Sequence, residues 1–188
     1  MSTMQSGASH ILISGGVRSG KSRFAEGLAL RLGGRVIYLA TATAGDAEMA
    51  ERIARHQARR PQDWMTVEEP LHPEEVIRNY SKGYTILLDC LTLFLSNLYF
   101  ELQPGAAESE LSQLVLERFT ELAQAVAVSR ANLVLVTNEV GWGIVPDNPL
   151  ARSFRDLSGL ANQEIARVCD QVYLVVTGIP LRIKGTEG

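Results

Sequence analysis

Short apolar runs rich in Ile, Val, Leu and Tyr recur along the chain, and between them apolar residues return every three or four positions. A continuous apolar run suits a strand buried on both faces, whereas the wider spacing gives one buried stripe on a helix. Strands are therefore predicted at Ile11–Ser14, Val36–Ala40, Thr85–Asp89, Leu133–Thr137 and Val172–Thr177. Helices are predicted at Lys21–Leu32, Asp46–Arg59, Pro73–Tyr80, Leu91–Phe100, Ala107–Ser129 and Pro149–Val168. Such alternation is the mark of βαβ units, so the fold class is α/β, in three layers, with a mostly parallel central sheet flanked by helices. The polar interval Thr41–Lys82 reads as an insertion that carries function rather than core. Gly178-Ile179-Pro180 ends the last central strand, and Leu181–Lys184 is expected to pair at an edge. Residues 1–9 read as a disordered tail, 10–184 as a single domain, and 185–188 as a frayed end.

After the first strand comes Gly15-Gly16-Val17-Arg18-Ser19-Gly20-Lys21-Ser22, a full G-x-x-x-x-G-K-[ST] between a predicted strand and a predicted helix. That context gives the pattern a mechanism and makes the domain nucleotide-binding. Glycines let successive backbone N–H groups turn inward around a phosphate, and the helix dipole adds positive charge. Lys21 neutralises β/γ oxygens and Ser22 ligates Mg2+. The third strand ends in Asp89, at the sheet edge where open α/β folds bind ligands. Asp89 reads as a Mg2+ partner, directly or through water, or as the N-cap of the Leu91–Phe100 helix; the two roles are compatible. Glu139, just past the fourth strand, is a second acidic candidate.

Composition narrows the partners. The 188 residues carry 21 acidic and 18 basic side chains, a net charge of −3, with 46% hydrophobic residues. A chain of this size builds its own core, and the charge argues against nucleic acid or an anionic membrane as main partner. Any anion site must therefore be local. No apolar stretch reaches the roughly 18 to 20 residues of a membrane helix, so no membrane span is expected. Cys90 and Cys169 follow apolar runs without metal-ligand spacing and read as reduced, buried thiols of a cytoplasmic protein.

On the predicted helix Asp46–Arg59, Arg52, His56 and Arg59 or Arg60 recur at spacings that put an imidazole and two guanidiniums on one face. A neutral imidazole can attack phosphorus to give a phosphoramidate while the guanidiniums stabilise the developing charge. The competing reading is a solvated helix with ordinary Glu48–Arg52 and Glu51–Arg55 pairs, and helical spacing alone does not decide between them. Trp142, between Gly141 and Gly143, reads either as a cover over a ligand or as a subunit contact. The stripe Leu111, Leu114, Val115, Phe119, Leu122 and Val126 reads as packing. These apolar helices and Trp142 point to a homo-oligomer.

The phosphate loop through Glu26, Tyr38-Leu39-Ala40-Thr41-Ala42, Arg52-Ile53 with His56 to Arg60-Pro61, and Leu88-Asp89-Cys90-Leu91-Thr92 together carry a resemblance. So does Val136-Thr137-Asn138-Glu139-Val140-Gly141-Trp142-Gly143-Ile144-Val145-Pro146, the most specific stretch. Over nearly the whole chain after Ser9, the sequence resembles the bifunctional adenosylcobinamide kinase / adenosylcobinamide-phosphate guanylyltransferases of cobalamin biosynthesis, whose fold is P-loop NTPase-like (RecA-like). The resemblance implies phosphorylation of adenosylcobinamide by ATP or GTP. It then implies transfer of GMP from GTP, through a histidine-GMP intermediate, to give adenosylcobinamide-GDP and pyrophosphate. The position matching the family histidine is His56. Nucleotide contacts carried over are Gly15, Gly16, Val17, Arg18, Ser19, Gly20, Lys21 and Ser22; Thr41, Ala42 and Thr43; Gln57, Ala58, Arg59 and Arg60; and Glu68 and Asp89. Ser22 and Asp89 would hold Mg2+, with adenosylcobinamide, GTP and ATP as substrates. A carboxylate at Glu68 suits the guanine N1–H and N2–H2 donors, which adenine lacks; binding ribose, or solvating a loop, is its other reading. Phe94 departs from a Trp common in the family. The alternatives are a simple small-molecule kinase without nucleotidyl transfer and a nucleotide-switch module, although the chain has no Asn-Lys-x-Asp run for reading guanine.

Overall fold

In a computed structural model, residues 7–43, 47, 51, 54, 57, 60–103 and 107–185 are described. The strands are β1 (His10–Gly15), β2 (Arg35–Ala40), β3 (Met65–Glu68), β4 (Tyr84–Asp89), β5 (Asn132–Val136), β6 (Gln171–Val176) and β7 (Ile179–Lys184). The helices are α1 (Lys21–Leu32), α2 (Pro73–Arg78), α3 (Leu91–Leu102), α4 (Glu108–Val128) and α5 (Pro149–Val168). The strands form one seven-stranded sheet in the order β3-β2-β4-β5-β1-β6-β7. All pairs are parallel except β6 with β7, which are antiparallel.

Strand alternation explains the layers. Leu12, Ile37, Leu39, Ile86, Leu88, Leu133 and Leu135 point to one face, where α3, α4 and α5 cover them with Phe94, Leu98, Phe119, Leu122 and Ile165. Ile11, Ile13, Val36, Tyr38, Leu87, Val134 and Val136 point to the other, against Ala25, Leu28 and Ala29 of α1. A strand apolar on both sides is what a sheet clothed by helices on both sides requires. Phe94, the departure from the family pattern, is fully buried with its ring centroid 5.1 Å from that of Phe119, so core volume is filled at that position.

Some expectations change. Met65–Glu68 lies in the interval read as an insertion, yet it pairs in parallel with β2 and forms one sheet edge. It has four residues and is mostly exposed, so it lacks the apolar run that marks a buried strand. Ile179 and Pro180 belong to β7 and not to the preceding turn, which is Thr177–Gly178. Pro180 is tolerated because β7 is an edge strand. His10, one residue before the predicted strand Ile11–Ser14, is buried as the first residue of β1. Ser9 is tied to β5: its N–H donates to Asn132 Oδ1 at 3.0 Å and its carbonyl accepts from Leu133 N–H at 2.8 Å. The rest of the tail readings, residues 1–6 and 186–188, lie outside the described residues, as does most of the predicted helix Asp46–Arg59. Both cysteines are free and buried.

Truncating Phe94 to Ala removes a fully buried ring between α3 and α4, and should cost about 3 to 5 kcal/mol. A urea unfolding midpoint within error of the parent would contradict this packing.

Candidate functional site

The C-terminal ends of the parallel strands lie in one row. Ala40 is in register with Glu68 on one side and Asp89 on the other; Asp89 is in register with Val136, and Val136 with Ile13. The phosphate loop, Thr41, Glu68, Asp89 and Glu139 all follow or end these strands, so one edge of the sheet gathers residues spread over more than half the chain.

At the loop, Gly15 is required sterically: a Cβ there would sit 2.6 Å from the Val175 carbonyl oxygen and 2.7 Å from Ser19 Oγ. Gly20 adopts φ +94°, a left-handed conformation that favours glycine. The loop is fastened through its carbonyls. Gly15 O accepts from Glu139 N–H at 3.0 Å, and Ser19 O from Gly178 N–H at 2.8 Å. Lys21 is buried, and its Nζ donates across the loop to Gly16 O at 3.0 Å. Helix α1 has no side-chain cap and no acidic residue in its first turn. Its positive end thus carries no anion from its own first turn, as an anion site at a helix N-terminus needs.

Asp89 is not the cap of α3. The N-cap is Cys90, without a side-chain hydrogen bond, while Asp89 Oδ2 accepts from the Tyr38 hydroxyl at 2.8 Å. Burial, and next the Asp89 charge, push the Tyr38 phenol far above its ordinary value, so it stays protonated and donates. Over the Tyr38 ring lies the Arg60 guanidinium, its Cζ 3.3 Å from the centroid. Glu139 is held in the same manner as Asp89: its Oε1 accepts from Ser14 Oγ at 2.7 Å. Both carboxylates are oriented by neutral hydroxyls, which leave their charge available to a cation or a proton.

Thr41 is fully buried and locks the turn after β2 to the turn after β4, its Oγ1 donating to Cys90 O at 2.7 Å and accepting from Cys90 N–H at 2.9 Å. The Asp89–Cys90 peptide is cis. Asn97 Nδ2 donates to Thr41 O at 2.8 Å. Burial, then the neighbouring Asp89 charge, push the Cys90 thiol up to about 11, against the smaller opposing effects of backbone hydrogen bonds from Leu93 and Thr92 and of the Lys21 charge. Around β5, Asn138 N–H donates to Thr92 Oγ1 at 2.8 Å, and Thr137 Oγ1 donates to Asn162 Oδ1 at 2.7 Å.

Of the other expected site residues, Ala42 is half-buried, whereas Thr43, Gln57 and Glu68 are exposed; Arg60 is half-buried. Arg52, Arg55, His56, Ala58 and Arg59 lie outside the described residues. Tyr38 carries a site contact that reading the sequence did not single out. The available signal was a phenol in the middle of an otherwise aliphatic strand, since a buried Tyr hydroxyl needs a partner.

Ser22, on the first turn of α1, and Asp89 offer the hard oxygen donors that Mg2+ takes alongside phosphate oxygens. Among the described residues no three of His, Cys, Asp and Glu converge, and a metal shared with phosphates does not need such a cage.

The family model described as "Cobinamide kinase / cobinamide phosphate guanyltransferase" matches residues 11–183. The chain belongs to this family. It is 45% identical over 175 residues to the bifunctional adenosylcobalamin biosynthesis protein CobP of Pseudomonas aeruginosa, covering 93% of this chain and 96% of that one. To the bifunctional adenosylcobalamin biosynthesis protein CobU of Escherichia coli it is 42% identical over 180 residues, covering 93% and 99%. In fold it is similar to the assembled ATPase EscN of the enteropathogenic E. coli type III secretion system, with TM-score 0.57 at 12% identity, over 90% of this chain and 43% of that one. A prototypical ATPase from the type III secretion system of pathogenic bacteria aligns with TM-score 0.56 at 12% identity, over 88% and 50%. The P-loop NTPase fold expected from the sequence is thus borne out. No helix among the described residues is long and apolar enough to cross a membrane.

Replacing Lys21 by Ala removes the buried ammonium that spans the loop, and should abolish nucleoside-triphosphate binding. Isothermal titration with GTP and with ATP measures this directly; parental affinity in the variant would remove the loop from the site.

Proposed function

We propose that this chain phosphorylates the aminopropanol hydroxyl of adenosylcobinamide with ATP or GTP. It then transfers GMP from GTP to the resulting phosphate, forming adenosylcobinamide-GDP and pyrophosphate. The observation that carries the reading is family membership over residues 11–183, joined to a phosphate loop and two hydroxyl-held carboxylates on one sheet edge. Membership favours the two-activity enzyme over a simple small-molecule kinase and over a switch module.

For phosphoryl transfer little covalent chemistry is asked of the protein; position and charge do the work. Inward N–H groups of Gly15 to Ser22 and the end of α1 bind the β-phosphate, and Lys21 steadies β/γ oxygens. Ser22 and Asp89 would hold Mg2+, which when bound neutralises charge building on the transferring phosphoryl group. Ala42, Thr43, Gln57, Ala58, Arg59, Arg60 and Glu68 supply the remaining nucleotide contacts, while Thr41, fully buried and bonded to Cys90, fixes the turn that carries the first two. For nucleotidyl transfer, an imidazole nitrogen of His56 attacks the α-phosphorus of GTP and expels pyrophosphate. An oxygen of adenosylcobinamide-phosphate then attacks the phosphoramidate and frees the imidazole. Arg60 and its arginine neighbours offset the charge on the pentacoordinate phosphorus. Glu68, exposed at the end of β3, supplies the acceptor pair that favours guanine over adenine.

The reading extends to where and in what assembly the chain works. Two buried free thiols suit a reducing cytoplasm. Trp142 is 71% exposed, and Ile179, Leu181 and Ile183 recur at alternate exposed positions of the edge strand β7, surface that a homo-oligomer would cover.

Incubated with GTP labelled at the α-phosphate, the chain should retain label in an acid-labile, base-stable adduct that is lost in His56→Ala. No adduct in the intact protein would leave only a kinase. In sedimentation velocity at working concentration the expected mass is a multiple of 20.6 kDa, and a monomer would remove the oligomer.

A further inference from the structure

Tyr38 stands at the junction of two groups that the proposed reactions use at different ends of the nucleotide. Its side chain is 3% exposed, in the middle of β2, on the sheet face that α1 covers. Its hydroxyl donates to Asp89 Oδ2 at 2.8 Å across the β2–β4 pair. A carboxylate at a strand end turns freely about its last torsion, and one short hydrogen bond to a buried donor sets its plane. The second oxygen is then directed in a set orientation. On the same ring lies the Arg60 guanidinium, 3.3 Å from the centroid, with NH1 donating to Thr66 Oγ1 at 3.3 Å. Arg60 Nε is buried and has no hydrogen-bond partner among the described residues. Such a donor is expensive to leave unmade, and a nucleotide oxygen would satisfy it.

We propose that Tyr38 is a positioning residue shared by the two reactions: its hydroxyl sets the Asp89 carboxylate for Mg2+, and its ring seats Arg60 for the nucleotide. The inference rests on the reading of Asp89 as the metal group and Arg60 as a nucleotide contact. The hydroxyl and the ring serve different partners, so they separate by substitution. Tyr38→Phe keeps the ring and loses the donor; Tyr38→Leu loses both. A merely structural tyrosine would change thermal stability without changing the two binding terms selectively.

The experiment is calorimetric binding of GTP to the full chain, once in EDTA and then across a Mg2+ series, for the parent, Tyr38→Phe, Tyr38→Leu, Arg60→Ala and Asp89→Asn. Tyr38→Phe should raise the Mg2+ midpoint about three- to tenfold, the scale of one charge-assisted hydrogen bond, with metal-free affinity within about twofold of the parent. Tyr38→Leu should shift the midpoint likewise and also lower metal-free affinity, by no more than Arg60→Ala does. The double variant Tyr38→Leu/Arg60→Ala should then lose little beyond Arg60→Ala, because one interaction is removed twice. A Tyr38→Phe midpoint within about twofold of the parent, or fully additive Tyr38→Leu and Arg60→Ala losses, overturns the proposal. An Asp89→Asn midpoint equal to the parent's overturns the metal reading beneath it, and is seen independently of any Tyr38 variant. If Tyr38→Leu does not fold, Tyr38→Phe and Arg60→Ala decide: the first must move only the midpoint and the second only the metal-free affinity.

Discussion

Glu139 N–H donates to Gly15 O at 3.0 Å and Gly178 N–H to Ser19 O at 2.8 Å, so the phosphate loop is clamped through its carbonyls by the segments that follow β5 and β6. A loop that binds an anion with its N–H groups must turn them inward, which turns carbonyls outward, where they need donors of their own. The flanking segments supply those donors because β5 and β6 lie on either side of β1. The rest of the site follows from this arrangement. Once the loop is fixed at the end of β1, α1 must start there, and its uncapped N-terminus faces the row of strand ends that holds Asp89 and Glu68.

Thr41 does for the neighbouring strands what Glu139 and Gly178 do for the loop. Its hydroxyl satisfies both Cys90 O and Cys90 N–H, so the chain reversals after β2 and β4 hold each other. Its carbonyl is bound by Asn97, which also donates to Pro70 O at 3.1 Å, joining the turn after β2 to the segment after β3. Asp89 is therefore set twice, in its backbone by this turn and in its carboxylate by Tyr38. Rigid placement of a first contact by a second layer of hydrogen bonds is what pre-organised charge chemistry requires.

Much of this is legible in the sequence. The continuous apolar runs at β1, β2, β4, β5 and β6 announce burial on both sheet faces, and the phosphate loop between strand and helix carries its own chemistry. What escaped has physical reasons. β3 is four residues long and mostly exposed, and its pairing with β2 is backbone work that leaves little mark on side-chain pattern. His10 lies one residue before the predicted strand; it joins β1 through its pairing with Leu133 of β5 and the Asp170 N–H donated to its carbonyl, contacts far away in sequence. The cap role of Asp89 was reasonable on local grounds, yet Tyr38, 51 positions away, takes the carboxylate instead. Long-range partners of polar side chains are the least visible feature of a single sequence, because periodicity reports burial and not hydrogen bonding.

The electrostatics follow from which partners the site chose. A chain of net charge −3 that binds triphosphates must keep acidic groups from cancelling its few placed cations. Had Asp89 or Glu139 been oriented by Lys or Arg, each carboxylate would have been neutralised by a cation of the protein itself. Orientation by Tyr38 and Ser14 avoids that neutralisation: a hydroxyl fixes direction and contributes no net charge. Lys21 donates to a backbone carbonyl of its own loop, and Arg60 lies on an aromatic face. At the row of strand ends, Asp89 and Glu139 are thus fixed in direction by hydroxyls and Arg60 by an aromatic face, contacts that add no net charge to the site.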